Sequence, residues 1–279
     1  MTAGTSARPE LGIEVDAAGV RTNALVEGAG PPLLLIHGSG PGVTAYANWR
    51  QSIPVLARRF KVIAPDLLGF GFTQRPQPAM TADVDAWVAH LLAVLEALDV
   101  RQAGVVGNSL GGAIALRLAA RHPDRVHRLV LMGSVGVPHP ISPGLEAVWG
   151  YQPSFEAMRA LLDLFAHARE LVTDELAQVR YEASIGPGFQ EAFSALFPAP
   201  RQRWVDALVT PDDEIRAIRQ PALLIHGRED RVIPLSTSLR LLELLPAAQL
   251  HVFGRCGHWS QIEWAEDFNT LVGDFLART

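Results

Sequence analysis

The sequence predicts an α/β protein in which helices cover both faces of a mostly parallel sheet. Apolar runs of strand length alternate regularly with stretches of helical periodicity along most of the chain. Several runs are apolar throughout and stop at Gly, Pro or a polar residue, which is typical of central strands buried on both faces. We therefore expect parallel strands that are joined by crossover helices.

Six strands and four helices follow from these patterns. The strands are expected at residues 32–36, 61–64, 104–106, 128–132, 223–225 and 249–253. The helices are expected at residues 81–98, 110–121, 236–245 and 264–277. Ligands of open α/β sheets bind beyond the carboxyl ends of the strands, so residues just after these strands are the first place to look for a site.

Residues 137–218 interrupt the alternation. Several apolar, aromatic-bearing helical segments occur there without a clear strand pattern, and the stretch is too long for an ordinary loop. We interpret it as a helical lid over the strand ends, inserted into a core domain of residues 1–136 and 219–279. The alternative is an extra helical layer that does not contact the site.

Composition and charge exclude several classes of function. The chain has 279 residues, a net charge of −5 and no run of Lys or Arg, so nucleic acid is not expected as a partner. Lys61 is the single lysine, so fixed cationic contacts must come from arginine. The single cysteine, Cys256, cannot form an internal disulfide. Residues 1–12 lack a signal-peptide core and no segment is suited to span a bilayer, so we expect a cytoplasmic protein without membrane contact.

The segment GNSLG at residues 107–111 matches the G-x-S-x-G pattern. An expected strand precedes it and a small-residue helix follows it, a context in which a sharp turn holds the serine hydroxyl clear of the backbone. Ser109 is therefore the candidate nucleophile. Chance matches to this pattern are frequent, and the alternative is a serine that caps a buried helix.

An acid and a histidine follow Ser109 in the order that such an elbow requires. Asp230 and His258 come shortly after the last two expected strands. A serine hydroxyl is almost un-ionised at neutral pH, so His258 would remove its proton and Asp230 would orient and stabilise the imidazole. Order and strand-end placement favour these two residues over Glu229 and His226. The histidines show no metal-ligand spacing, so no metal is expected.

The glycine-rich segment HGSGPG, residues 37–42, follows the first expected strand. In folds with a nucleophile elbow this loop supplies an oxyanion donor, and we predict that the backbone N–H groups of Ser39 and Leu110 form the hole. The alternative is a glycine-rich turn that only reverses the chain. The segment lacks the patterns of a phosphate loop and of a dinucleotide-binding fold.

These motifs together resemble the α/β-hydrolase superfamily along the whole chain. HGSGPG with ANWR at residues 47–50, GNSLG, HGRED at residues 226–230 and GRCGHW at residues 254–259 are similar to the meta-cleavage product hydrolases of monocyclic aromatic degradation. The resemblance implies an eight-stranded sheet, a homo-oligomer and no cofactor. It also implies hydrolysis of a C–C bond in 2-hydroxymuconate semialdehyde or a 6-alkyl homologue, which gives 2-hydroxypenta-2,4-dienoate and a carboxylic acid.

The resemblance also implies residues of the substrate pocket. The carboxylate of such a substrate needs a cation, and Arg180 in the expected lid is implied for that role. The other implied contacts are Gly38, Asn48 and Asn108 on the polar side and Trp259 on the floor. For the wall that accepts the acyl substituent we predict Val135, Leu145, Phe165 and Val232.

Plainer alternatives remain for these residues and for the function. Arg180 could be a solvated helix charge, Asn48 a helix cap, Asn108 a spacer in the elbow and Trp259 a core residue. A carboxylesterase of the same fold is the nearest alternative function. A ligand receptor without turnover is an alternative of another class, because a fold alone does not guarantee catalysis.

Overall fold

The structure is a computed structural model that describes residues 8–278. Eight strands form its single sheet: β1 (Ile13–Ala17), β2 (Val20–Glu27), β3 (Pro32–Ile36), β4 (Lys61–Pro65), β5 (Ala103–Asn108), β6 (Val126–Met132), β7 (Ala222–Gly227) and β8 (Ala248–Phe253). The strand order is β1-β2-β4-β3-β5-β6-β7-β8. β2 pairs antiparallel with β1 and β4, and all pairs from β4 to β8 are parallel. The predicted eight-stranded, mostly parallel sheet is confirmed.

The helices cover both faces of the sheet. They are α1 (Ala45–Trp49), α2 (Ile53–Leu56), α3 (Val84–Ala97), α4 (Leu110–Arg121), α5 (Pro143–Trp149), α6 (Phe155–Phe165), α7 (Asp174–Ser184), α8 (Phe189–Leu196), α9 (Gln202–Ala207), α10 (Asp212–Ala217), α11 (Leu235–Leu244), α12 (Ser260–Glu263) and α13 (Ala265–Leu276). None of those within residues 8–278 is long and apolar enough to cross a membrane.

The central strand β3 shows why both faces must be covered. Leu34 and Ile36 belong to an apolar cluster with residues of α3, α4 and α11, whereas Leu33 and Leu35 belong to a second cluster with residues of α1, α2 and α13. All four side chains are fully buried. Complete burial of one such side chain contributes roughly 1.5–3 kcal/mol, so the continuous apolar run stabilises both layers at once.

The stretch between β6 and β7 is helical in the part of the chain that the structure describes. It contains α5 to α10 and a 3₁₀ turn at Arg169–Leu171, and no strand. Hydroxyls of Ser142, Ser154 and Thr173 accept backbone N–H groups at the starts of α5, α6 and α7, as N-caps do. α6 packs against α7, whereas α10 packs against α4 and α11. The last part of the predicted 137–218 segment therefore lies on the helical layer of the core.

Two details depart from the expectations. The helix expected from residue 81 begins at Val84, because the Asp83 carboxylate accepts the N–H groups of Asp85 and Ala86 and caps the helix there. β1 and β2 follow no continuous apolar run; β1 is half exposed at the sheet edge, which hides it from an apolar-run criterion. Residues 1–7 and Thr279 of the predicted core domain lie outside the described residues.

Candidate active site

The nucleophile elbow is a one-residue turn between a strand and a helix. β5 ends at Asn108 and α4 begins at Leu110, so Ser109 alone makes the turn, with φ 55° and ψ −113°. A positive φ is uncommon and strained for a residue with a side chain, and such strain is often found at active sites. A Cβ at Gly107 would collide with the backbone of Gly111, so the close crossing of strand and helix requires glycine. The Ser109 hydroxyl does not cap α4, and the alternative of a capping serine is wrong.

The predicted acid and base lie next to each other. Asp230 follows β7 and His258 follows β8, and Oδ2 of Asp230 is 2.7 Å from Nδ1 of His258. An ionised carboxylate only accepts hydrogen bonds, so Nδ1 carries the proton and Nε2 is left as the basic nitrogen. The other carboxylate oxygen accepts the backbone N–H groups of Val232 and Ile233 at 2.7 and 2.9 Å. The acid is thus fixed at both oxygens.

Electrostatics keep this acid ionised. Burial by itself would raise the pKa of Asp230, but the neighbouring rings of His258 and His226 hold it below its ordinary value. His226 is fully buried, and its Nε2 lies 3.4 Å from Asp230 and 3.0 Å from the carbonyl oxygen of Ile233. Its Nδ1 pairs with Ser238 at 2.7 Å. His226 therefore contacts the carboxylate of Asp230 from a fully buried position, which agrees with the preference for His258 as the base.

One cavity collects most of the predicted site residues. Its wall includes both Ser109 and His258, so the elbow and the base face the same space. The other predicted residues on this wall are Gly38, Ser39, Asn48, Asn108, Phe165, Arg180 and Trp259. Phe165 comes from α6 and Arg180 from α7, so helices inserted between β6 and β7 close the cavity over the strand ends.

The glycine-rich loop contributes two ordered positions beside Ser109. Oδ1 of Asn48 accepts the N–H of Gly38 at 3.2 Å, and the Ser39 hydroxyl accepts the indole N–H of Trp149 at 2.9 Å. These bonds fix the loop and leave the N–H of Ser39 for another acceptor. The N–H of Leu110, the first residue of α4, belongs to the helix start, where backbone donors have no partner within the helix. The oxyanion role of this pair stays a prediction.

Two arginine side chains border the same cavity. Arg180 donates to the carbonyl oxygen of Pro41 at 3.2 Å, and Arg50 donates to that of Ala47 at 3.0 Å. Neither makes a salt bridge within residues 8–278. Burial, and next the nearby charge of Arg50, lower the pKa of Arg180 to about 10, so it remains cationic at neutral pH. A solvated helix charge does not describe Arg180, because its group borders the cavity.

Asn48 and Asn108 also differ from their plainer alternatives. Asn48 lies inside α1, where Thr44 is the cap, and Nδ2 of Asn48 is buried without a hydrogen-bond partner in the described chain. Nδ2 of Asn108 reaches the carbonyl oxygen of Met132 only at 3.4 Å. Both amides therefore have donor capacity left for a ligand.

Three predicted wall residues do not reach the cavity. Val135, Leu145 and Val232 are buried in the larger apolar cluster of the core instead. Besides the predicted Phe165 and Trp259, the apolar wall includes residues that the sequence argument missed, among them Met158, Leu162, Leu176 and Ile262. The signal was present: Met158, Leu162 and Phe165 have the i, i+4, i+7 spacing that puts them on one face of α6. Proximity to a strand end in sequence did not reveal this face.

The remaining titratable groups near the loops have structural partners. Asp66 accepts N–H groups of Ala45 and Phe72 at 2.6 and 2.9 Å, and burial raises the pKa of Asp66 to about 6. Burial raises the pKa of the Cys256 thiol to about 12, which leaves it un-ionised at neutral pH. Within residues 8–278, no three His, Cys, Asp or Glu side chains come together as metal ligands would.

Known proteins resemble the chain along most of its length. A family profile described as the alpha/beta hydrolase fold matches residues 31–265. A 2-hydroxymuconate semialdehyde hydrolase from Pseudomonas sp. (strain CF600) is 62% identical, covering 96% of this chain and 95% of the relative. A 2-hydroxy-6-oxo-2,4-heptadienoate hydrolase from Pseudomonas putida is 58% identical, covering 98% and 99%.

A solved structure gives the same picture in three dimensions. A meta-cleavage product hydrolase from Pseudomonas fluorescens IP01, determined as a serine-to-alanine mutant complexed with acetates, has a TM-score of 0.94 and 56% identity. The match covers 96% of this chain and 98% of the other. Fold and sequence similarity therefore extend over the core and the inserted helices alike.

Proposed function

This chain belongs to the α/β-hydrolase fold family, and we propose that it hydrolyses a C–C bond in meta-ring-fission products. The substrate class is a 2-hydroxy-6-oxohexa-2,4-dienoate, either 2-hydroxymuconate semialdehyde or a homologue with a small alkyl group at the 6-carbonyl. By their names, one of the two relatives above acts on 2-hydroxymuconate semialdehyde and the other on 2-hydroxy-6-oxo-2,4-heptadienoate, its 6-methyl homologue. The products are 2-hydroxypenta-2,4-dienoate and a carboxylic acid.

The observation that carries the proposal is that one cavity holds both the catalytic candidates and two arginines without a salt bridge. Ser109 and His258, the partner of Asp230, line it together with Arg180 and Arg50. A dienoate needs both kinds of group, because it has a carbonyl to be attacked and a carboxylate to be held. A cation in a shielded site is costly unless an anion joins it, so a carboxylate ligand explains the arginines.

The reaction needs two stages because a carbanion is a poor leaving group. In the first, the 2-hydroxyl loses a proton and a chain carbon gains one, so the dienol becomes a ketone without change of composition. In the second, the 6-carbonyl is attacked with Ser109 and His258 in play, and the C–C bond breaks with its electron pair retained as a dienolate. One water is consumed overall, and its oxygen enters the carboxylic acid.

The oxyanion formed in the second stage requires donors that are already in place. We assign the backbone N–H groups of Ser39 and Leu110 to this role, since both flank Ser109 and the Ser39 side chain is fixed by Trp149. Asp230 keeps His258 in the tautomer that accepts a proton and stabilises the imidazolium that results. No cofactor is required by this chemistry.

Residues 137–218 act as the lid in this proposal. Met158, Leu162 and Phe165 of α6 supply apolar walls, and Arg180 of α7 supplies the carboxylate partner. Exclusion of water by these helices strengthens the electrostatic interactions inside. Homo-oligomer formation stays a prediction from the resemblance, which size-exclusion chromatography tests, and a cytoplasmic location stays a prediction from the sequence.

The test uses the colour of the substrate. Purified protein is mixed with 2-hydroxymuconate semialdehyde and with its 6-methyl homologue, and we expect the visible absorbance of the conjugated dienolate to disappear with many turnovers. Chromatography should show 2-hydroxypenta-2,4-dienoate together with formate or acetate. Persistent colour with rapid hydrolysis of a p-nitrophenyl ester would identify a carboxylesterase instead. Stoichiometric binding without product would identify a receptor.

A further inference from the structure

Glu263, the last residue of α12, holds two segments of backbone that are far apart in sequence. Oε1 accepts the N–H of Gly257 at 2.7 Å. Oε2 accepts the N–H groups of His167 and Ala168 at 2.7 and 2.8 Å. Three backbone donors thus converge on one carboxylate, which is the charge-assisted arrangement that gives short, strong hydrogen bonds.

The two segments are the loop of the catalytic base and the end of the cavity-lining helix. Gly257 directly precedes His258, and His167 and Ala168 come just after α6 ends at Phe165. The N–H of His258 donates directly to the carbonyl oxygen of Phe165 at 2.7 Å. The backbones lie so close that a Cβ at Gly257 would collide with the backbone of Phe165 and His167.

Side chains continue this contact into the cavity. The ring of Phe165 stacks on the imidazole of His258 with centroids 5.9 Å apart, and on Trp259 with centroids 5.0 Å apart and planes at 10°. All three rings line the cavity. A shift of the α6 end would therefore move the surface against which the imidazole rests.

We propose that Glu263 is a positioning residue that locks the end of α6 onto the His258 loop, so that the inserted helices set the place of the catalytic base. It touches neither substrate nor reacting atoms and acts through Gly257, His167 and Ala168. The proposal rests on the proposed function for the choice of substrate, but the hydrogen bonds of Glu263 concern only the position of His258. Any reaction that uses His258 should depend on it.

The ionised carboxylate matters because of its acceptor count. A carboxylate offers two oxygens that only accept, whereas a glutamine amide offers one oxygen and an NH₂ group that donates. In Glu263→Gln, one side of the lock loses its acceptor and meets the NH₂ group instead. Size and shape are almost unchanged, so the effect isolates the hydrogen bonds.

The test measures Glu263→Gln in turnover and in amide hydrogen exchange. We expect kcat to fall about 10²-fold while KM changes less than about threefold, because a base displaced by a fraction of an ångström still leaves the binding groups in place. Exchange should become faster in peptides that contain Gly257, His167 and Ala168. Glu266→Gln is the matched control, since Glu266 is an exposed glutamate three residues after the end of α12; both readouts should match the wild type.

Two results would overturn the lock: unchanged kcat in Glu263→Gln with faster exchange, or a rise in KM alone. If Glu263→Gln does not fold, Glu263→Asp is measured in the same way: it keeps both acceptors on a side chain one methylene shorter, so kcat should fall with KM little changed, and an unchanged kcat would overturn the lock. Hydrolysis of a p-nitrophenyl ester is recorded beside the dienoate. A wild type active only on the ester would refute the proposed substrate, while the Glu263→Gln effect on that ester would still decide the lock.

Discussion

The strand-end loops and the inserted helices border the same cavity but are built differently. Ser109 and Asp230 sit on turns whose backbone and side-chain contacts leave no freedom: a strained φ at the one, two N–H bonds to the carboxylate at the other. α6 and α7 are amphipathic helices that are capped by side chains and present one face to the cavity. We infer that the loops hold the candidate reacting groups, whereas the helices shape the space in which a substrate would bind.

If the strand-end loops carry the chemistry, removal of the Ser109 hydroxyl should cause a very large loss of activity. In Ser109→Ala we expect kcat on the dienoate to fall by about 10⁴-fold or more, because loss of a triad member leaves only the oxyanion hole and binding. Substrate affinity by direct binding should change little, since Arg180 and the apolar walls are intact. The bleaching assay and a titration measure the two effects.

The matched control for that change is Ser236→Ala, an exposed serine on α11 far from the elbow in sequence. Its rate should equal that of the wild type. A Ser109→Ala protein that bleached the substrate within tenfold of the normal rate would show that the elbow is not the reacting group. Equal melting temperatures of the two variants would show that lost activity is not lost fold.

The helices contribute charge through Arg180, the next largest expected effect. Arg180→Gln should reduce kcat/KM for the dienoate by about 10²-fold, the cost of a hydrogen-bonded charge pair of roughly 1.5–3 kcal/mol. Hydrolysis of a neutral ester should fall far less, because no carboxylate needs the guanidinium. Kinetics on both substrates measure the ratio.

Arg159→Gln on α6 is the control for Arg180, since Arg159 pairs only with Asp163 and Asp174 on the inserted helices. Surface pairs of this kind contribute little. Equal losses on dienoate and ester in Arg180→Gln would contradict the carboxylate role and indicate a general loss of packing.

Burial of a histidine in the helical layer of the sheet predicts that the stability of the protein depends on pH. Burial lowers the pKa of His90 on α3 from 6.5 to about 4, so the folded state keeps this ring neutral while the unfolded state protonates it. The unfolded state then binds more protons below pH 6.5, and stability is lost as the pH falls from about 6.5 towards 4. The contribution at pH 4.5 is on the order of 2 kcal/mol.

His90→Asn removes this titration. Its amide is too short to reach the Thr22 hydroxyl, which lies 2.8 Å from Nε2 of the ring, so each protein is compared only with itself at two pH values. Urea unfolding at pH 7 and pH 4.5 should show a smaller loss of free energy in the variant than in the wild type. His251→Asn, at an exposed position on β8, should leave the loss as it is. An identical loss in His90→Asn and the wild type would contradict the burial argument.

Sequence patterns predicted the loops better than the helices for a physical reason. A buried parallel strand can be recognised as a continuous apolar run, and the residues that follow such strands lie at the same sheet edge. Ser109, Asp230 and His258 could therefore be found from a motif, from their order and from their place after strands. Val135 and Val232 also lie near strand ends, and Leu145 lies on α5, yet the side chains of all three are buried in the core. Which way a side chain points after a turn depends on packing that no local pattern contains.

Glu263 illustrates the other limit of sequence reasoning. Its three partners are backbone N–H groups of residues 167, 168 and 257, and backbone groups have no signature in the amino-acid order. Arg50 was visible as part of the ANWR motif, but its place near Arg180 on the same cavity wall was not. Contacts between distant segments had to be seen in three dimensions.

Leu162 on α6 allows a test of whether the inserted helices select the substituent at the 6-carbonyl. Leu162→Ala opens the cavity wall on α6, so preference should shift towards larger groups at the 6-carbonyl, by about tenfold in the ratio of kcat/KM for isopropyl over hydrogen. Leu161→Ala is a matched control, because Leu161 is its neighbour on the same helix and is buried in the core cluster without lining the cavity. Both truncations should lower stability, and only the first should change the ratio. A shift of equal size in both variants would mean that the helix as a whole moves, and that the wall does not select the substituent through direct contact.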